Sequence, residues 1–241
     1  MKTLRKGDRG EDVKTLQTAL NANGYDCGKV DGIFGTKTQK AVKAYQKAHA
    51  LTVDGIVGRQ TWNSLGYTDP DIPTDVTQPP NFKQYDSRWG SKMYSSHGDK
   101  KQTMKSSGCG PTSMADIVAA WWDKDATPWT LAEYSLKWGT RTYDSGTSGT
   151  FFKKCAEYYK ASKYQTTSSV DAAIECLKKG GLVIVCFGKS KWTQGGHYCC
   201  LWKWDGNKFH VNDPASSASN RATGSYNEVK AARKSFYLFY K

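Results

Sequence analysis

Long hydrophobic runs are missing from this sequence of 241 residues. Leu182–Phe187 is typical of the longest and ends after six residues, whereas a helix that crosses a membrane needs about 20. The first residues, MKTLRKGD, contain no apolar signal-peptide core. We therefore expect no membrane insertion, and synthesis in a cytoplasm without a signal peptide.

Cysteine occurs seven times, an odd number, and no pair has the C-x-x-C spacing. A disulfide framework needs an even set, and common zinc sites need paired ligands at short spacing. We therefore expect reduced thiols, no metal and no organic cofactor. Most of the cysteines lie among apolar residues, which favours buried packing. These are Cys155, Cys176, Cys186, Cys199 and Cys200.

Acidic residues are outnumbered, since 35 lysines and arginines stand against 22 aspartates and glutamates, a net charge of +13. Such a charge favours an acidic partner, and nucleic acid, an anionic membrane and an anionic cell wall all meet that condition. The sequence has no Lys/Arg-rich tract and no recognisable helix for reading DNA. We therefore expect no nucleic-acid partner.

A proline-rich stretch divides the chain. Residues 67–80, YTDPDIPTDVTQPP, hold four of the seven prolines and no lysine or arginine. Proline stiffens an extended chain and interrupts helices, so the stretch predicts a linker. The residues before it carry a net charge of +5 and those after it +11. We predict one basic domain at residues 1–66 and another at residues 81–241.

The first domain contains an internal repeat. The segments DGIFG at 31–35 and DGIVG at 54–58 lie 23 residues apart. Asp-Gly favours a tight turn, and apolar residues at helical spacing around Leu16 and Val42 predict a helix on each side of the first turn. Trp62 and Leu65 predict a third, shorter helix. The repeated unit is a turn followed by a helix, in a small all-α domain.

These residues resemble the three-helix peptidoglycan-binding domain found on many cell-wall hydrolases. The motifs cover nearly all of residues 4–66 and include GxxGxxVxxLQ at 7–17, the two DGIxG segments and TWxxL at 61–65. The resemblance implies a domain that binds glycan or stem peptide in a shallow groove, without catalysis of its own. It implies Asp31, Phe34, Asp54 and Trp62 as groove residues, with core packing as the alternative for Phe34 and Trp62.

One cysteine stands at a predicted helix start. Cys109 lies in SGCGPT, and Met114, Ile117, Val118 and Trp121 follow it at the spacing of one helical face. The proline two residues after the cysteine suits a first helical turn. Free N–H groups and the helix dipole favour a thiolate at such a position. The cysteine is therefore a candidate nucleophile, the alternative being a small apolar residue that starts a helix.

A cysteine nucleophile needs a base, and the chain has four histidines. His49 lies in the first domain and His97 in a polar loop, which leaves His197 and His210. Residues 195–204 and 208–213 have the pattern of two strands joined by an Asp-Gly turn. With a two-residue turn, the residue numbers of each pair across the two strands sum to 411, which places His197 opposite residue 214. With a three-residue loop, His197 lies opposite residue 215.

Either register makes Asp213 a neighbour of His197. A carboxylate there can fix the tautomer of the imidazole. His210 would instead pair near Leu201 and serve as a core or supporting residue. The sequence thus allows a cysteine, a histidine and an aspartate to meet.

This arrangement resembles the papain-like cysteine peptidases. The motifs QYDxxWG at 84–90, SGCGPT at 107–112, GHY at 196–198 and DP at 213–214 look like the branch related to the bacteriocin-processing, double-glycine peptidases. The resemblance covers about residues 81–240 and implies an α+β domain with helices packed on an antiparallel sheet. It implies Cys109 as nucleophile, His197 as base and Asp213 as the orienting group.

Attack by a cysteine on an amide produces an oxyanion, which needs a hydrogen-bond donor besides the backbone N–H of Cys109. Gln84 and Gln102 are the two candidates for this donor. Gln102 is nearer to Cys109 in sequence but lies in the charged run GDKKQT. Gln84 lies beside Tyr85 and Trp89, an aromatic setting that can hold an amide rigidly, and the resemblance places a glutamine there. We favour Gln84.

A wall-binding domain joined to a cysteine hydrolase looks like a phage endolysin. The expected partners are the peptidoglycan of a Gram-positive type wall and its anionic polymers, and the expected molecule is a monomer that acts at the wall after release from the host cytoplasm. The expected reaction is hydrolysis of an amide in the peptide part of peptidoglycan. The alternatives are an N-acetylmuramoyl-L-alanine amidase with the same triad and a non-catalytic wall-binding protein.

Overall fold

The computed structural model describes residues 2–67, 76–143 and 145–241. The described residues form two compact units, one within residues 2–67 and one within residues 76–204 and 208–241. Most of the predicted linker, residues 68–75, lies outside the described residues, so its extent stays a prediction.

The first unit is a small helical domain, as its repeat predicts. Val13, Leu16 and Leu20 recur on one face of the first helix, and all three are fully buried beside Val42 of the second. Apolar residues at this spacing leave water together only when the helix packs by that face. The helices are α1 (Glu11–Ala22), α2 (Thr36–Ala48) and α3 (Arg59–Ser64).

Each of the two DG turns is closed by a buried glutamine. Gln17 of α1 donates through Nε2 to Oδ1 of Asp31 at 2.8 Å, and its Oε1 accepts from the N–H of the next glycine at 2.8 Å. Gln46 of α2 makes the same two hydrogen bonds with Asp54 and its following glycine, at 3.0 and 2.9 Å. The two glycines have φ of 73° and 74°, a conformation that favours glycine. The repeat is therefore one of hydrogen bonding as well as of sequence.

The second unit has an α+β fold, as expected. Its six strands form one sheet in the order β1-β6-β2-β3-β4-β5, and every neighbouring pair is antiparallel. The strands are β1 (Lys163–Thr167), β2 (Leu182–Phe187), β3 (His197–Trp204), β4 (Lys208–Asn212), β5 (Thr223–Ser225) and β6 (Arg233–Tyr240). The helices are α4 (Met104–Ser107), α5 (Cys109–Trp121), α6 (Pro128–Lys137), α7 (Thr150–Tyr158), α8 (Val170–Lys178) and α9 (Tyr226–Ala232).

Helix α5 carries the predicted buried face. Met114, Ile117 and Val118 are fully buried in the main apolar cluster of the unit, and the helix packs against β3 and α6. The helix begins at Cys109, which confirms the predicted helix start. Because α5 packs on β3, Cys109 lies near the first residue of that strand, His197.

The β3–β4 hairpin has a longer connection than the predicted two-residue turn. Trp204 pairs with Phe209 rather than with residue 207. Within the connection the carboxylate of Asp205 accepts the N–H of Asn207 at 2.9 Å, which is a side-chain turn that adds residues to the loop. A bulge between Leu201 and Lys203 then shifts the register, so that Cys200 pairs with Asn212. The predicted sum of 411 is wrong for these pairs, whereas the register of the three-residue alternative, a sum of 412, holds for Cys200 and Asn212 beyond the bulge.

His210 also lies one pair away from its predicted place. It is opposite Lys203, and its half-buried ring lies 5.0 Å from the ring of Trp202. The shift follows from the longer turn and the bulge.

Candidate active site

Cys109 is the first residue of α5, a helix of 13 residues. Burial opposes ionisation of its thiol, but hydrogen bonding and charge from His197 and backbone hydrogen bonds from Tyr198 and Gly110 outweigh it and lower the pKa of Cys109. The position and the neighbours of this thiol therefore favour a thiolate.

His197 begins β3 and faces the cysteine from the neighbouring strand end. Its Nε2 lies 2.8 Å from Oδ1 of Asp213, and both side chains are buried. Burial works against the imidazolium ion, but the neighbouring Cys199 and hydrogen bonds with Asp213 and Cys109 outweigh it and raise the pKa of His197. Since the pKa of the thiol is lowered and that of the imidazole raised, the pair favours thiolate and imidazolium.

Asp213 directly follows β4, and its carboxylate has partners on both oxygens. Oδ1 faces His197 and also accepts the N–H of Ala215 at 2.9 Å. Oδ2 lies 2.6 Å from Nη2 of Arg221. The main-chain oxygen of Asp213 accepts from Nζ of Lys83 at 2.7 Å. The aspartate is thus fixed at its side chain and at its backbone.

Arg221 and Lys83 were missed by the sequence analysis. Arg221 follows a stretch of serines and alanines, and Lys83 is one lysine among many, so neither has a local pattern that marks it. Their roles depend on contacts with Asp213, about 8 and 130 residues away along the chain.

Gln84 lines the same cavity as Cys109 and is buried. Its N–H donates to the carbonyl of Pro214 at 2.9 Å, and its Nε2 donates to the carbonyl of Lys105 at 2.6 Å. A carboxamide nitrogen has two hydrogens, so one hydrogen stays available to a ligand. Gln102 lies elsewhere, because its Oε1 accepts from Nη2 of the buried Arg141 at 2.6 Å.

The cavity in front of Cys109 has a volume of about 730 Å³. Its wall is rich in hydroxyl groups, from Ser106, Ser107, Thr142, Ser145, Thr147 and Thr193. Trp192 adds an apolar side, since its ring is stacked on Phe187 at 4.1 Å. A site of this kind suits a polar substrate with amide and hydroxyl groups.

The other cysteines divide into two groups. Cys155, Cys176, Cys199 and Cys200 are buried, as predicted, and burial raises their pKa. Cys186 is only half-buried and lines the cavity. Its predicted buried packing role is wrong, because its side chain forms part of the cavity wall.

One group of possible metal ligands occurs among the described residues. The ligand atoms of His197, Cys199 and Asp213 all lie within 4.8 Å of one another. Burial raises the pKa of Cys199 to about 11, and the histidine and aspartate already bond to each other. The arrangement is therefore better suited to proton transfer by His197 than to holding an ion.

The candidate groove residues of the first unit separate in the structure. Phe34 and Trp62 are each 1% exposed and belong to the core. Their prediction as groove residues is wrong, because a side chain without exposed surface cannot contact a ligand. Asp31 is exposed and Asp54 is half-buried. Oδ1 of each accepts a hydrogen bond from the buried glutamine that closes its turn. These two stay candidates for wall binding.

Among residues 2–67, 76–143 and 145–241, the structure has no helix with the length and apolar character needed to span a membrane.

Comparison with known proteins assigns both parts of the chain. Residues 9–65 match the model of the putative peptidoglycan binding domain, and residues 79–241 match the Peptidase_C39 like family. A spore cortex-lytic enzyme of Bacillus cereus is 44% identical over 62 residues, 26% of this chain and 24% of that protein. The amidase CwlM of Mycobacterium tuberculosis is 46% identical over 56 residues, 23% of this chain and 14% of that protein. This chain thus covers about a quarter or less of the length of these relatives.

Among solved structures, the Burkholderia AP3 phage endolysin is 47% identical, with coverage of 30% of this chain and 28% of that chain and a TM-score of 0.27. A putative C39-like peptidase from Bacillus anthracis is 15% identical, with coverage of 56% and 88% and a TM-score of 0.44. Since the family model spans residues 79–241, more than half of the sequence, this chain belongs to the Peptidase_C39 like family and carries a putative peptidoglycan binding domain before it.

Proposed function

We propose that the protein is a cell-wall hydrolase that cleaves an amide bond in the peptide part of peptidoglycan. The observation that supports this most is a single cavity lined by Cys109 and His197, with His197 bonded to the buried Asp213. The family of residues 79–241 and the domain matched by residues 9–65 agree with a peptidase directed to the wall.

In the first half-reaction the Cys109 thiolate attacks the carbonyl carbon of the amide, and the carbonyl electrons move to oxygen. The backbone N–H of Cys109 and Nε2 of Gln84 stabilise the oxyanion. When the carbonyl re-forms, the C–N bond breaks and the imidazolium of His197 protonates the leaving amine. The product is a thioester on Cys109 and a free amine.

In the second half-reaction water attacks the thioester carbonyl while neutral His197 takes its proton. Collapse of this second intermediate breaks the C–S bond and releases a carboxylic acid. The thiolate and the imidazolium are thereby restored. Asp213 holds the ring orientation through both steps and does not itself need to change protonation state.

The first unit would hold the enzyme on its substrate. Several lytic proteins share this part of the chain with it, including the cortex-lytic enzyme and the endolysin named above. The net charge of +13 favours the anionic polymers of a Gram-positive type wall as a second partner. We propose a monomer that acts at the wall after release from the cytoplasm in which it is made.

Digestion of purified peptidoglycan tests the proposal. Wild type, Cys109→Ala and Cys200→Ala would be compared, and the released fragments identified by mass spectrometry and by labelling of new amino termini. Cys200 is buried and does not line the cavity, so its variant controls for loss of a thiol. We expect new termini within the stem or cross-bridge for wild type and Cys200→Ala, and none for Cys109→Ala.

Other outcomes identify the alternatives. Release of intact stem peptides with free L-alanine termini would show an N-acetylmuramoyl-L-alanine amidase. Binding to the wall without any release would show a non-catalytic wall-binding protein. Equal release by wild type and Cys109→Ala would exclude Cys109 as the nucleophile.

A further inference from the structure

A bulge in the sheet aims one lysine at the cavity. Cys186 of β2 pairs with Ser235 of β6, but the next residue, Phe187, pairs with Arg233. Lys234 therefore has no partner on β2 and is the extra residue of the bulge. Bulges re-aim side chains and are frequent beside active sites. The Lys234 side chain lines the cavity in front of Cys109.

The path of this side chain is set by a glycine. Gly188 follows β2, and its N–H donates to the carbonyl of Ala232 at 2.7 Å. A Cβ added to Gly188 would lie 3.1 Å from Cε of Lys234 and 3.7 Å from its Cγ. The aliphatic part of the lysine therefore lies across the glycine backbone. A side chain at position 188 would therefore crowd the aliphatic part of Lys234 and require it to shift slightly.

Lys234 shares the cavity wall with Cys186 and Cys109. Burial raises the pKa of Cys186, while the positive charge of Lys234 opposes this rise and the negative charge of Cys109 adds to it. Both charges act on the same half-buried thiol. Cys186 is thus a neighbour of the Lys234 ammonium and of the Cys109 sulfur.

The described part of the cavity wall carries positive charge from Lys234 and Arg221. Among the described residues that line it, none is Asp or Glu. Arg221 also lines it, but its guanidinium faces Oδ2 of Asp213 and the main-chain oxygen of Trp192. Lys234 makes no ion pair with any acidic residue in the part of the chain that the structure describes. Its charge is therefore available to a ligand.

We propose that Lys234 binds a free carboxylate of the substrate beside the scissile amide, so that the enzyme selects stem peptides with that carboxylate over those with a carboxamide. This inference rests on the proposed peptidoglycan hydrolase activity and names its substrate class. An ammonium–carboxylate contact is a charge-assisted hydrogen bond, and a neutral carboxamide in its place gives a weaker one.

The test uses soluble stem peptides that form matched pairs. In each pair one carboxylate of the peptide is replaced by a carboxamide, each carboxylate in turn, and kcat/KM is measured for both members. For wild type we expect one pair in which the carboxylate member reacts about tenfold faster, the size of effect of one charged hydrogen bond. Lys234→Gln should react with the two members equally, and Lys234→Arg should keep most of the preference.

Two further variants separate a local contact from general charge. Lys189→Gln removes an equal charge from an exposed lysine that does not line the cavity, and it should keep the wild-type preference. Gly188→Ala keeps the charge but crowds the aliphatic part of Lys234, and its backbone has no positive φ that would resist alanine. We expect Gly188→Ala to weaken the preference less than Lys234→Gln does.

Equal rates of wild type on every pair, or an unchanged preference in Lys234→Gln, would overturn the proposal and leave the hydrolase assignment intact. Failure of wild type to cleave any peptide or purified wall would overturn the hydrolase assignment, and this proposal with it.

Discussion

Nη2 of Arg221 lies 2.6 Å from Oδ2 of Asp213, on the carboxylate oxygen opposite to the one that faces His197. The aspartate is 3% exposed, so few water molecules compete for its oxygens. A carboxylate held on both sides cannot rotate without breaking one contact. We therefore expect the orientation of the His197 ring to depend on Arg221 through the carboxylate that they share.

Substitution of Arg221 tests this dependence. We expect Arg221→Met to lower kcat on a soluble peptide by about tenfold with little change in KM, because the carboxylate loses one charged contact and holds the imidazole less firmly. Arg221→Lys should recover part of the loss, since an ammonium group can reach the same oxygen. Thermal unfolding of both variants controls for folding, and a wild-type kcat in Arg221→Met would contradict the role.

The ionisation of Cys109 can be followed by alkylation with iodoacetamide. Since His197 helps to lower the pKa of this thiol, the reactive thiolate should persist at a pH below the usual thiol range. His197→Ala removes that stabilisation and should raise the pKa, which lowers the alkylation rate at this pH by at least about tenfold.

Buried thiols give the internal control for this titration. Cys155 and Cys200 are fully buried and their pKa is raised, so peptide mapping should find them unmodified in the folded protein. Equal alkylation of Cys109 in wild type and His197→Ala would show that the imidazole does not stabilise the thiolate.

The oxyanion donor is tested by a pair of glutamine variants. Gln84→Ala should lower kcat by about 10²–10³-fold, the usual effect of deleting one such donor. Gln102→Ala should leave kcat nearly unchanged, because its Oε1 is bound by Arg141 and the residue does not line the cavity. Circular dichroism checks folding, and the reverse order of effects would assign the donor to Gln102.

Removal of residues 1–66 tests the role of the first unit. We expect weaker binding to whole walls and unchanged cleavage of a soluble peptide, because a linked binding unit acts by raising the local concentration of the enzyme at the wall. Co-sedimentation with walls at about 1 M salt, where charge attraction is screened, measures this binding. Equal sedimentation of the shortened and intact chains would count against the role.

Local patterns predicted the elements and several site residues. The apolar spacing after Cys109 predicted α5 because one helical face must be buried, and the glycine-flanked His197 fell at the start of a predicted strand. Asp213 was placed near His197 by both predicted registers, and the pairs beyond the bulge follow the three-residue alternative. The two-residue register fails by only one or two positions, because the bulge offsets part of the shift that the longer turn introduces.

Contacts that arise only when the whole chain packs could not be predicted from such patterns. Lys83 and Arg221 look like ordinary surface charges in the sequence, and only the packed chain brings both to Asp213. Phe34 and Trp62 show the reverse case, since an aromatic residue in a binding motif can serve the core. Burial of a particular side chain depends on the whole fold and not on the motif that contains it.

The place of β6 in the sheet bears on when activity can arise during synthesis. This strand, residues 233–240, lies between β1 and β2, in the interior of the sheet and not at its edge. A nascent chain that has not yet released these residues from the ribosome has two unpaired strand edges and lacks Lys234. Such a chain cannot complete the wall of the cavity, so we expect any activity at Cys109 to appear only after residues 233–240 have joined the sheet.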